Sequence, residues 1–315
     1  MSVDGAGADL PGWSAASLGT HRGWTLSASD VPGLQADLAR LERWREAVTE
    51  PLQVLQRGSV HLPAVQTIGR QVLAHVGGST GFIWLTDVPP LSTELLSLLF
   101  LAIGLEVGDS SDVYGRLYDV IDHGGSYQDA PIPVSQTREA TGIHTDSSNR
   151  TVWPRVVALA CVRPSERGGE SRLVSVHRLH ALLARDSPGA LKELLRPFVR
   201  DIVTPGSDRS VEAVRANAFP ILSEHGGVRL RYMRYWIERG HQRIGEPLTG
   251  PQEAALDALD ALLNAPELTL TRKLVAGDML FVNNTTVAHG RTTYVEGPEH
   301  PRHLLRLWLD PIDTA

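Results

Sequence analysis

His144 and Asp146 stand two residues apart in the run Thr141-Gly142-Ile143-His144-Thr145-Asp146. In an extended segment residues i and i+2 point to the same face, so this imidazole and this carboxylate would lie side by side. Such a pair offers two ligands to one metal ion. A second imidazole, His289 in the run His289-Gly290-Arg291, would complete a set of two histidines and one carboxylate. That set leaves three coordination positions open and suits a non-haem Fe(II) centre working with oxygen. A closed structural zinc site would use four protein ligands, usually with Cys. The chain has one cysteine, Cys161, inside the apolar run 156–162, where a buried core thiol is the expectation.

The pair alone is a weak signal. With 12 His and 36 acidic residues, on the order of one His-x-acid pair per chain is expected by chance. Order and context strengthen it. The pair is followed by the turn Gly168-Gly169-Glu170-Ser171, then by Gly277-Asp278-Met279 leading through Asn283-Asn284 to His289, then by Arg302. Arg306 follows Arg302 by four residues, so in a strand both face the same side. His177, His180, His241, His300 and His303 lack a partner at ligand spacing.

These residues need elements to hold them. Apolar spacing predicts a helix from Asp30 through Trp44, ended by Pro51, and a second over 63–76, stopped by Gly77 and Gly78. A third runs from Ser92 to Leu105, capped by Ser92. A short buried strand is expected over 81–85. From Tyr114 strands dominate: 114–121, 155–163, 171–176, 198–203, 268–274, 279–282 and 303–309. Residues 219–238 read as one long hairpin turning at His225-Gly226-Gly227. Two helical inserts, 177–196 and 251–263, interrupt the strands. Many short strands with turn signals predict a sandwich or barrel. The expected organisation is a loose tail over 1–13 and one domain over 14–315, with a helical layer to about residue 110 and a β core after it.

Composition sets the outer limits. The chain has 315 residues, 42% apolar and 21% charged, with a net charge of −6. This is ordinary for a globular protein and long enough to bury a large core. An acidic balance disfavours nucleic-acid binding. One cysteine forbids an intrachain disulfide and fits a reducing, cytoplasmic compartment. No apolar run reaches the roughly 20 residues of a membrane span.

Taken as a set, His144-Thr145-Asp146, Gly168-Gly169-Glu170-Ser171, residues 276–284, His289-Gly290-Arg291 and the run from Arg302 through Arg306 to Trp308 resemble the TauD/TfdA, or clavaminate-synthase-like, family of Fe(II)/2-oxoglutarate oxygenases. The resemblance spans about 81–309. It implies a mainly β fold with outer helices, a double-stranded β-helix or jelly roll. It implies that His144, Asp146 and His289 hold iron, and that Ser171 and Arg302 bind the distal carboxylate of 2-oxoglutarate. A bidentate guanidinium backed by a hydroxyl suits that carboxylate. Arg306 would meet an anionic group of the substrate, share in cosubstrate binding, or form a structural ion pair. The implied cofactors are Fe(II), 2-oxoglutarate and O2. The reaction implied is hydroxylation of an unactivated C–H bond, with release of succinate and CO2. Asp146 argues against halogenation, because halogenases of the family put a small residue there.

The expected substrate is a small carboxylate-bearing molecule, an amino acid or a derived intermediate of natural-product metabolism. A catabolic sulfonate or aryloxy-acid dioxygenase is the near alternative, and a non-catalytic metal-dependent jelly-roll binder the distant one. A protein substrate is a further option. Residues 124–140, rich in Gly, Pro and Ser, read as a mobile lid, in which Ser135 and Gln136 are candidate polar contacts. Alternation over Arg229, Arg231 and Arg234 reads as one solvated cationic strand face.

Overall fold

The computed structural model describes residues 10–19, 23–111, 115–122, 124, 137–150, 153–202, 207–297 and 301–311. The strands that position the site are, in chain order, β1 (Thr25–Ser27), β2 (Phe82–Thr86), β3 (Gly108–Ser110), β4 (Tyr118–Val120), β5 (Thr141–His144), β6 (Val156–Arg163), β7 (Ser171–Ser175), β8 (Leu270–Arg272), β9 (Met279–Asn283), β10 (Val287–Arg291) and β11 (His303–Pro311). The helices packed on them are α1 (Leu34–Ala47), α2 (Pro63–Val76), α3 (Thr93–Val107), α4 (Val176–Asp186), α5 (Pro188–Leu194), α6 (Arg234–Ile244) and α7 (Gly250–Leu263).

A seven-stranded sheet runs β1-β2-β9-β6-β11-β3, with β4 also on β11. A four-stranded sheet runs β8-β7-β10-β5. Strand alternation sorts the side chains into layers. In β9, Met279 and Phe281 point to α1, α2 and α3, while Leu280 and Val282 point between the sheets. In β11, Leu305, Leu307 and Leu309 join the same helical layer, while Leu304 points inward with Cys161 and Leu173. On the far side, Val174 and Ala288 pack against Leu179, Ile237, Leu256 and Leu259 of the second helical layer. The result is helix, large sheet, small sheet, helix, the jelly-roll arrangement expected. The two sheets lie at the centre, but helix is the larger share of the described residues, 38% against 24%.

Local expectations hold where a sequence signal was strong. The second helix occupies Pro63–Val76, with Pro63 in its first turn and Gly77 as its cap. Ser92 caps α3 by accepting from Leu95 N–H at 3.2 Å. That helix is buried on nearly every side, as its unbroken apolar run requires.

Four expectations are corrected. Pro51 does not end α1, which stops at Ala47; it opens a further short helix, Pro51–Val54, because proline is pre-organised for a first helical position. The long hairpin over 219–238 is three short pieces, Ala218–Pro220, Leu222–Ser223 and Arg229–Leu230, followed by α6. Arg234 therefore lies on a helix, paired with Glu238, Asp257 and Asp260. Arg231 is buried, not solvated: its guanidinium lies between the rings of Trp153 (4.2 Å) and Phe219 (3.8 Å). Finally, the end of the supposed tail is docked. Trp13 is buried and donates to Thr80 C=O at 2.7 Å, and Arg178 donates to Gly12 C=O. Residues 1–9, Ser135, Gln136 and most of the expected lid lie outside the described residues.

Candidate metal centre and anion site

Pairing of β10 with β5 sets His289 directly opposite His144, and the ring centroids are 4.9 Å apart. The register shifts between His289 and Arg291, a bulge of the kind that re-aims side chains beside active sites. Asp146 follows β5 by two residues. Its Oδ1 lies 3.2 Å from His144 Nε2 and 3.6 Å from His289 Nε2. The three ligand atoms lie within 4.8 Å of one another, a spacing that could hold a metal ion.

Each group is held in a state fit to ligate. His144 Nδ1 donates to Gly142 C=O at 2.7 Å. A carbonyl only accepts, so Nδ1 holds its proton there and Nε2 is aimed at Asp146 Oδ1, 3.2 Å away. His289 Nδ1 is buried and has no partner among the described residues. Burial, and then the neighbouring His144, push the His289 pKa down, while Asp146 opposes them; the ring is thereby kept neutral. Burial alone would raise the Asp146 pKa. The Arg306 guanidinium and the two imidazoles outweigh it and hold the carboxyl well below the usual range.

Two residues that sequence reasoning passed over fix Asp146. The side chain of fully buried Asn284 accepts from Asp146 N–H and donates to Asp146 C=O. Trp308 Nε1 donates to Asp146 Oδ2 at 2.6 Å. Trp308 had a legible signal, since it stands two residues after Arg306 on the same strand face. Asn284 had none beyond its place in the run before His289.

A second cluster sits where β10 ends and β11 begins. Arg302 is buried, and its guanidinium lies 4.9 Å from the Tyr294 ring. Arg291 lies 4.7 Å from the same ring and donates to the carbonyls of Thr137 and Glu139. Arg302 Nη1, Arg291 Nε and the Tyr294 hydroxyl are all buried without a hydrogen-bond partner among the described residues. Buried donors normally have acceptors. Three orphaned donors around one ring, two of them cationic, form a site shaped for an anion.

Ser171 opens β7, is buried, and faces Arg291 across the β7–β10 pairing. The turn before it needs glycine: Gly168 and Gly169 have φ of +68° and +74°, where side chains are strained. Cys161, buried beside this cluster, is not a ligand. Burial pushes its thiol up to about 12.

Arg306 points into the metal site. Its guanidinium is stacked between Tyr118 (4.7 Å) and Trp308 (4.6 Å), with Nη1 3.6 Å from Asp146 Oδ2. The unassigned histidines lie elsewhere. His180 pairs with Glu224, His303 with Asp119, and His241 bonds to Glu246 C=O; His300 lies outside the described residues. Among the described residues no helix is long and apolar enough to cross a membrane.

Comparison with known proteins agrees with this geometry. Residues 49–308 match the family described as "Taurine catabolism dioxygenase TauD, TfdA family". A uridine-5'-phosphate dioxygenase from a Streptomyces species is 33% identical over 183 residues, 55% of this chain and 63% of that protein. The match thus spans under two thirds of that relative. The FR-33289 synthase of Streptomyces rubellomurinus is 24% identical over 95% of this chain and 88% of its own. Among solved structures, an asparagine oxygenase in complex with Fe(II), 2S,3S-3-hydroxyasparagine and succinate superposes with a TM-score of 0.66. It is 18% identical and covers 91% of this chain and 93% of its own; at that identity the likeness shows the fold. With the family pattern matched over most of its length, the chain belongs to the TauD/TfdA family of Fe(II)/2-oxoglutarate-dependent dioxygenases.

Proposed function

We propose that residues 14–315, together with the docked Gly12 and Trp13, act as one oxygenase domain that hydroxylates an unactivated C–H bond of a small, carboxylate-bearing molecule. An amino acid or an amino-acid-derived intermediate of natural-product metabolism is the favoured class. The observation that carries the reading is the pairing of a three-residue His/Asp/His cluster with a nearby buried cluster of two guanidinium groups and a phenol.

The residues fit the groups the reaction needs. His144, Asp146 and His289 would hold iron, using one imidazole Nε2 each and one carboxylate oxygen. Arg302, Tyr294 and Ser171 would receive the distal carboxylate of 2-oxoglutarate, whose charge offsets the burial of Arg302. When bound, iron and 2-oxoglutarate supply the oxidising power, and the protein supplies placement and electrostatics. Asp146 stays ionised and His289 stays neutral, so neither needs to shed a proton at neutral pH. Tyr118 and Trp308 clamp Arg306 and keep a cation at the site wall, which favours a substrate with an anionic group. The named relatives include a protein acting on a nucleotide phosphate, so phosphate esters belong in the substrate screen beside amino acids and sulfonates.

The test begins without substrate. Metal-free protein is titrated anaerobically with Fe(II) and 2-oxoglutarate while the visible spectrum is recorded. A weak charge-transfer band is expected in the wild type, absent in His289→Ala and weakened in Arg302→Ala. Succinate release against the substrate panel follows. A folded wild type with no band sinks the reading and turns attention to a non-catalytic metal binder.

A further inference from the structure

The two oxygens of the Asp146 carboxylate have different surroundings. Oδ1 faces the imidazoles of His144 and His289 at 3.2 and 3.6 Å. Oδ2 accepts a hydrogen bond from the Trp308 indole at 2.6 Å and lies 3.6 Å from Arg306 Nη1. At 3.6 Å the guanidinium contributes charge but no directed bond. The indole bond is short and charge-assisted, hence among the stronger kinds. It is the contact that selects which oxygen is free.

We propose that Trp308 is a positioning residue that keeps Asp146 a one-oxygen ligand: its N–H occupies Oδ2 and leaves only Oδ1 for the metal. This rests on the iron and 2-oxoglutarate reading above. Counting coordination positions shows why it matters. An octahedral ion has six. Two imidazoles and one carboxylate oxygen would take three, and 2-oxoglutarate, if it chelates, would take two. One position would then remain for O2. A carboxylate that turned and bound through both oxygens would take that last position. The indole thus guards an open site while touching neither substrate nor metal. It is held rigidly enough to do so, because the ring is packed against the Arg306 guanidinium, itself stacked on Tyr118.

The experiment compares wild type with Trp308→Phe, both metal-free and anaerobic. Near-UV circular dichroism checks folding. Calorimetric titration with Co(II) reads affinity. Nitric oxide added to the Fe(II)–2-oxoglutarate complex, followed by electron paramagnetic resonance, reads whether the last position is open. Trp308→Phe is expected to keep Co(II) binding, because the freed oxygen would join the ion, and to give a reduced nitric oxide signal. Replacing Trp308 with 3-benzothienylalanine keeps the ring shape and drops only the N–H, so it carries the test if the Phe variant does not fold. It should behave as Trp308→Phe does. A full nitric oxide signal in a folded variant overturns the proposal, as does loss of Co(II) binding, which would make Trp308 a support of the site and not a guard of its open position. A wild type that takes up no Co(II) overturns the parent reading as well.

Discussion

The side chain of Asn284 and the backbone of Asp146 are joined twice. Asp146 N–H donates to Asn284 Oδ1 at 2.8 Å, and Asn284 Nδ2 donates back to Asp146 C=O at 3.0 Å and to Pro154 C=O at 2.8 Å. One buried amide thus ties the turn between β9 and β10 to the backbone of the candidate ligand Asp146. Asn284→Ala would strand a buried N–H and two carbonyls. The expected cost is about 1–3 kcal/mol, read by urea unfolding of the metal-free protein, with a parallel loss of Co(II) affinity. Full stability and full affinity together would show that the amide is dispensable.

Tyr294 should respond with opposite signs in two assays. Its hydroxyl is buried without a partner among the described residues, so Tyr294→Phe removes an unsatisfied group. The metal-free variant should match the wild type or exceed it by about 1 kcal/mol. Its affinity for 2-oxoglutarate, measured anaerobically with metal present, should fall. A variant that loses stability yet binds 2-oxoglutarate normally would remove Tyr294 from the anion site.

Cys161 should link stability to alkaline pH. Its pKa is raised from 9.0 to about 12 by burial, so folding favours the neutral thiol. That contribution is full below pH 9 and drains away as the pH rises towards 12, because only the unfolded chain ionises readily. Near pH ~10.5 the wild type should have lost about 2 kcal/mol relative to its neutral-pH stability, beyond any loss in Cys161→Ala. Parallel pH profiles of the two proteins would remove the thiol from consideration.

Arg231 and Arg229 should part company, although both come from one alternating run. Arg231 is stacked between Trp153 and Phe219 and donates to Ser148 C=O at 2.9 Å, two residues from Asp146. Arg231→Met is expected to cost about 1–3 kcal/mol, and Arg231→Lys a similar amount, since an ammonium cannot stack as a planar guanidinium does. Arg229 is exposed, and Arg229→Met should stay within about 0.5 kcal/mol. Chemical unfolding of the three variants decides it.

The same run shows where local reading fails. Alternation over Arg229, Arg231 and Arg234 looks like a strand, but the helix signal from Arg234 prevails because Ile237 and Ile244 are buried on its inner face, Ile237 within the second helical core. A strand of cations next to an apolar layer cannot announce that one guanidinium will be buried between two rings. One of those rings, Trp153, comes from a distant part of the chain, and the other, Phe219, meets Arg231 only because the run breaks into short pieces. Pro63, Ser92 and Gly77 were legible for the converse reason. Caps and first-turn prolines act within a few residues, so their physics is complete in the local sequence.

The candidate ligands His144, Asp146 and His289 were readable from residue type and order alone, because metal chemistry restricts which side chains can serve. So were Arg302 and Arg306 as inward cations, since strand alternation needs no partner to be named. The sequence by itself also determined the layered β class, through the period of its apolar residues. Only the tertiary structure decided that His144 faces His289, because strand pairing and its bulge are set by contacts between residues far apart in the chain. It alone decided that Arg302, Arg291 and Tyr294 share one buried cluster, and that Trp308 takes one oxygen of Asp146 while the imidazoles face the other. Those are matters of distance and direction between remote side chains, and they are fixed only when two sheets close on each other.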